Sequence, residues 1–136
     1  MFKRLALLLS IAALLAAVVP AIASAADVFE GYSKVGKVTS SYGGAWNVYA
    51  GYSKLGSVKP GYGGKWNVYE GYSKVGYVQR AYGAKWNIYE GYSKVGYISS
   101  SYGGRWNVYA GYSKVGYVSG GTGGPAAGAA LLLLVG

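Results

Sequence analysis

The chain has 136 residues, no His and no Cys, and a formal charge of +9 from 13 Lys and Arg against 4 Asp and Glu. Without His or Cys the usual zinc and transition-metal ligands are missing, and no disulfide can staple so small a domain. Sixteen Tyr and four Trp offer large buried area per residue in place of crosslinks, while 24 Gly and little helix-length apolar periodicity argue against a helical body.

Residues 1–25 read as a secretory signal. Lys3 and Arg4 precede an apolar stretch from Leu5 to Val19, and Ala23-Ser24-Ala25 supplies a small-x-small exit. The apolar run falls short of the ~20 residues of a spanning helix, and Pro20 interrupts it. Cleavage before Ala26 would leave a chain with a net charge of about +7 in the secreted space or cell envelope. An uncleaved anchor is the alternative.

From Ala26 to Gly124 the chain repeats itself. GYSK recurs at Gly31–Lys34, Gly51–Lys54, Gly71–Lys74, Gly91–Lys94 and Gly111–Lys114, with a step of 20 residues and no insertion. Trp46, Trp66, Trp86 and Trp106 keep the same step, each followed by Asn; Ala26-Asp27 stands where the first Trp-Asn would be. A fixed short period signals geometry repeated around an axis or along a solenoid. Trp66–Tyr69 mixes β-branched and aromatic residues as a strand does, Glu70–Ser73 holds the Gly of a tight reversal, and Lys74–Val78 reads as the returning strand. Gln79–Lys85 forms the next turn. Gly36, Gly56, Gly76, Gly96 and Gly116 fall within strands, where a close approach is the usual reason, here a Trp or Tyr ring lying over each glycine.

One hairpin is marginal in water, so the five must share a core. Copies one and five depart from consensus together, at the missing Trp, and closure would bring them to one seam and remove the exposed sheet edges. The expectation is therefore an all-β fold of five hairpins closed around a pseudo-five-fold axis; an open hairpin solenoid is the alternative. The tail, residues 125–136, ends in Ala129–Val135, too short to span a bilayer. It either plugs an apolar opening of the fold or touches a membrane weakly.

Five units of W-N-V-Y-x-G-Y-S-K-V-G-Y-V form resemble the 5-fold beta-flower proteins, in which short hairpins are arranged as petals around an axis. The resemblance covers residues 26–124 and implies a shallow, symmetrical all-β barrel, often exported or membrane-associated, with no catalytic residue. A weaker resemblance, carried by Gly64-Lys65-Trp66 and Tyr69, is to choline- or glucan-binding repeats, which usually show paired aromatics where this chain has one Trp per unit.

Nothing in the chain supplies catalysis. The carboxylates are Asp27, Glu30, Glu70 and Glu90, and the three Glu share one turn position spread around the repeat, which suits solvated turn charges and not a close acid–base pair. No Ser has a His to activate it. Gly31–Lys37 matches G-x-x-x-x-G-K, but Val38 follows where a phosphate loop needs Ser or Thr, and the context is a hairpin. No cofactor is implied.

Periodic rings of side chains remain. Lys34, Lys54, Lys74, Lys94 and Lys114 would stand at equivalent points around the axis, either as solvated strand-end charges or as a positive rim for anionic polymer or lipid headgroups. Tyr32, Tyr52, Tyr72, Tyr92 and Tyr112 precede them at turn tips, either folded over the turn glycine or exposed for interfacial insertion or stacking. Trp46, Trp66, Trp86 and Trp106 are expected to be structural, in the core or as wedges between petals, with Asn47, Asn67, Asn87 and Asn107 satisfying backbone groups there. The expected function is a non-catalytic exported module that binds an anionic envelope polymer or lipid surface through the Lys/Tyr rim. Carbohydrate binding on Trp and Tyr platforms and a purely structural role are the alternatives. Nucleic acid is disfavoured by the export signal and the dispersed lysines.

Overall fold

Two-residue turns set the architecture. Glu30 pairs with Ser33 across Gly31-Tyr32, and the equivalent pairing closes each of the five hairpins. Gly31 has φ 62° while no non-glycine residue among the described residues has positive φ. That is the pattern of a type II′ turn, whose twist matches the twist of the strands it joins.

The computed structural model describes residues 25–120 and 122–134. The signal segment read over residues 1–25 therefore lies outside the described residues, apart from Ala25, which opens the first strand. Ten strands follow: β1 Ala25–Glu30, β2 Ser33–Ser40, β3 Trp46–Ala50, β4 Ser53–Pro60, β5 Lys65–Glu70, β6 Ser73–Ala81, β7 Lys85–Glu90, β8 Ser93–Ser100, β9 Trp106–Ala110 and β10 Ser113–Ser119. All neighbours are antiparallel and β1 pairs with both β2 and β10, so the sheet is a closed barrel with no free edge. The five hairpins thus close around an axis, as the repeat frame implies, and do not form an open solenoid. Return strands are longer than expected. β6 runs on to Ala81 because Gln79 and Arg80 still find partners in Asn87 and Trp86.

Trp-Asn-Val-Tyr alternates between two faces, and closure of the barrel turns the one that carries Val inward. Val28, Val38, Val48, Val58, Val68, Val78, Ile88, Ile98, Val108 and Val118 point inward and are buried, one from each strand. Each such burial stabilises by roughly 1.5–3 kcal/mol. The mid-strand glycines also face inward, but the expected aromatic ring over them is absent. A Cβ on Gly76 would instead run into the backbone carbonyl of Tyr89 in the next hairpin, and Gly36, Gly56, Gly96 and Gly116 meet the equivalent carbonyl. Each hairpin carries a β-bulge beside this glycine, and the bent backbone leaves no room for a side chain there.

Ten strands lined mostly by Val enclose more space than their side chains fill, since eight strands already give an interior that side chains just fill. The rest is taken by the C-terminal segment. Helix α1, Gly124–Leu134, lies inside the barrel with Ala126, Ala127, Ala129, Ala130, Leu131 and Leu132 buried. It is apolar all round because it meets wall on every side. Pro125 occupies its first turn, where a missing N–H loses nothing. Small residues fit it to the lumen: a Cβ on Gly128 would come within 2.6 Å of Val78 Cγ2. Gly124 abuts the Trp86 indole at the end where hairpins are linked to each other, and Leu131 and Leu133 reach Gly96 and Gly56 toward the end that carries the hairpin turns.

Candidate functional site: the hairpin rim

The five GYSK tips share one end of the barrel because every hairpin has the same length and register. At three of the tips the bulge of one hairpin holds the turn of the next. The carbonyls of Val75, Val95 and Val115 accept hydrogen bonds from the turn N–H groups of Gly91, Gly111 and Gly31, at 3.0–3.1 Å, so one tip is held by the bulge of its neighbour. The result is a rim of backbone-anchored turns that positions side chains at equivalent heights.

Tyr32, Tyr52, Tyr72, Tyr92 and Tyr112 stand on this rim with relative exposures of 96–105%. None folds back over its turn glycine. In a type II′ turn the second central residue points away from the barrel wall, and nothing on the neighbouring tip covers it. Lys34, Lys54, Lys74, Lys94 and Lys114 follow two residues later and are exposed as well. Lys74, Lys94 and Lys114 have their Nζ 5.8–5.9 Å from the ring centroids of Tyr77, Tyr97 and Tyr117 on the outer wall, at the edge of cation–π range. Lys34 differs: its Nζ lies 3.1 Å from Asp27 Oδ1 in a half-exposed ion pair. Glu30, Glu70 and Glu90 are exposed beside the same turns, so the five rim lysines share this end with three carboxylates.

Between adjacent tips runs a groove. One, of about 360 Å³, is walled by Lys34, Val35, Gly36 and Lys37 on one side and Gly51 and Tyr52 on the other. The equivalent groove between Lys94–Tyr97 and Gly111-Tyr112 measures about 180 Å³. Each groove thus sets a lysine of one petal against the tip tyrosine of the next.

The outer wall carries a second aromatic layer. Tyr77 and Tyr89 stack with centroids 4.6 Å apart, as do Tyr97 with Tyr109 and Phe29 with Tyr117. Lys65, Lys85 and Arg105 sit over Tyr77, Tyr97 and Tyr117 at 4.6, 4.9 and 4.0 Å. The ring stacks join strands of different hairpins, so the spacing within one repeat could not reveal them, whereas each cation sits over a tyrosine of its own hairpin.

Trp46, Trp66, Trp86 and Trp106 lie at the opposite end, partly buried against the core, with Trp66, Trp86 and Trp106 near the start of α1. Their rings pack against the core on one side, and Trp66, Trp86 and Trp106 keep part of their surface open to a cleft. Asn107 Oδ1 is buried without a protein partner, so in this copy that oxygen satisfies no backbone group.

The sequence reading passed over a further ring. Tyr42, Tyr62, Tyr82 and Tyr102, in the loops that join one hairpin to the next, are exposed by 96–99% at the Trp end. The signal was present: each precedes a glycine with positive φ, the mirror of the Gly-Tyr order at the hairpin tips. Comparison with known proteins finds no match, whether among family models, curated proteins or solved structures.

Proposed function

We propose that this chain is an exported, non-catalytic module of the beta-flower type whose hairpin rim rests on an anionic lipid bilayer. The observation that carries the reading is the ring of five tyrosines, almost fully exposed at one level of a closed barrel, each followed by a lysine. Soluble surfaces rarely hold so many large rings in open water without a use for them. Tyrosine suits the headgroup layer, where its ring meets apolar matter and its hydroxyl stays wet. Tips at one height match a flat surface better than a single extended polymer strand. Each weak tip contact is repeated five times, and multivalency raises overall affinity without new chemistry.

Charge sets the expected strength. A lysine near an anionic leaflet contributes about 1 kcal/mol, but three rim glutamates and the Lys34–Asp27 pair offset part of this. Sedimentation with phosphatidylglycerol-containing and pure phosphatidylcholine vesicles tests the reading. Binding should favour the anionic vesicles and fall by at least about tenfold from low to high salt. Changing all five rim lysines to Gln should remove the rim's share of that salt-sensitive binding and leave the barrel folded. Equal binding to both vesicle types would reject the reading. Carbohydrate binding is the second reading, supported by the part-exposed Trp66, Trp86 and Trp106 at the other mouth. Salt-resistant binding to isolated cell walls would put it first.

A further inference from the structure

The loop end has the same ingredients as the hairpin rim, arranged independently. Tyr42, Tyr62, Tyr82 and Tyr102 stand in open solvent there. Lys65, Arg80, Lys85 and Arg105 flank the same loops, at the starts and ends of β5, β6, β7 and β9. The acidic residues lie elsewhere: Glu30, Glu70 and Glu90 stand beside the hairpin turns, and Asp27 is held by Lys34. Within this positive face, a cleft of about 300 Å³ opens between Trp66, Trp86 and Trp106, with Arg80 and Lys85 on its wall. Its size and lining fit one headgroup: cations for the phosphate and indole faces for the apolar glycerol backbone.

We infer that the loop end is a second contact face for anionic bilayers and that the molecule, bound at both ends of the barrel, bridges two of them. This rests on the hairpin-rim reading for one of its two contacts, but the loop face can be tested without it. The two faces lie at opposite ends of a rigid closed barrel, so one bilayer cannot engage both. Bridging is then the consequence of two faces of like chemistry pointing in opposite directions.

The test uses the full chain with phosphatidylglycerol-containing vesicles. Sedimentation reports binding, counted as the excess over phosphatidylcholine vesicles, and light scattering reports clustering. Three proteins are compared: the native chain, a hairpin-rim variant (Lys34→Gln, Lys54→Gln, Lys74→Gln, Lys94→Gln, Lys114→Gln), and a loop-face variant. The last combines Arg80→Gln and Lys85→Gln with Tyr42→Ser, Tyr62→Ser, Tyr82→Ser and Tyr102→Ser. All the substituted side chains are exposed, and an unchanged thermal transition confirms that each variant is folded.

The native chain should cluster vesicles. The loop-face variant should still bind but lose clustering by about tenfold or more, since bridging needs both contacts. The hairpin-rim variant should bind through the loop face without clustering. A native chain that binds without clustering overturns the second face and leaves the hairpin reading standing. So does a hairpin-rim variant that fails to bind, because clustering would then come from association between bound copies. A hairpin-rim variant that binds and clusters as the native chain does would overturn bridging together with the hairpin-rim reading.

Discussion

Gly76 and Tyr72, four residues apart in one repeat, show how differently two fixed positions are held. Gly76 is required by what lies against it: the carbonyl of Tyr89 occupies the place of a Cβ. Tyr72 touches nothing, and its full exposure means the fold does not need it. Gly76→Ala should therefore cost about 1–3 kcal/mol through forced separation of two hairpins, read as a lower urea midpoint. Tyr72→Ser should stay within about 0.5 kcal/mol of the native chain in the same measurement. A Gly76→Ala midpoint equal to the native one would mean that the bulge can yield and that the glycine is dispensable. The ion pair of Lys34 and Asp27 belongs with Tyr72 in this respect, since an exposed pair contributes at most about 1 kcal/mol.

Helix α1 and the strands around it are one packing unit. The ten inward Val and Ile side chains leave a lumen that α1 fills, and α1 has no polar face with which to exist elsewhere in water. Leu131→Ala should destabilise the protein by about 2–5 kcal/mol, because the residue is buried and packs on Gly96, where no side chain can move in to fill the void. Deleting residues 125–136 should do more than lower a midpoint. The expected product keeps β-type far-ultraviolet dichroism, binds hydrophobic dyes and unfolds without a cooperative transition. A deleted chain that unfolds as cooperatively as the native one, without binding dye, would show that the barrel collapses onto itself without its filler.

Closure is a property of the whole molecule, and its seam explains the missing fifth Trp. The chain leaves β10 at the loop end and must turn into the lumen beside β1. At Gly120 a Cβ would come within 2.9 Å of Ala26 Cα, so the entering segment passes directly over the position where the repeat would have Trp. Ala26 is buried there. Restoring the consensus with Ala26→Trp should thus lower stability by about 1–3 kcal/mol, against the usual benefit of consensus residues, because the indole would compete with the entering chain. Calorimetry checks this, and a raised melting temperature would show that the seam has spare room. The same closure sets the two exposed tyrosine rings at opposite ends of the barrel, which is what makes a bridging role physically possible.

A 20-residue period with Gly-Tyr at one turn and Tyr-Gly at the other specified much by itself: five hairpins, their turn positions, and a Lys and a Tyr at every tip, whose exposure the structure then decided. These are local matters, settled by turn geometry and strand alternation within a few residues. Other features depended on partners far away in the chain. Trp-Asn-Val-Tyr alternates between two faces that both carry large side chains, and only barrel closure made Val the core and stacked Tyr77 on Tyr89 outside. The reason for Gly76 lay in the backbone of another hairpin. The place of α1 followed from the ten-strand lumen, which no single repeat encodes. The second tyrosine ring was legible in its residues but became a face only once closure gathered the loops at one end, because a surface is defined by what stands side by side in space.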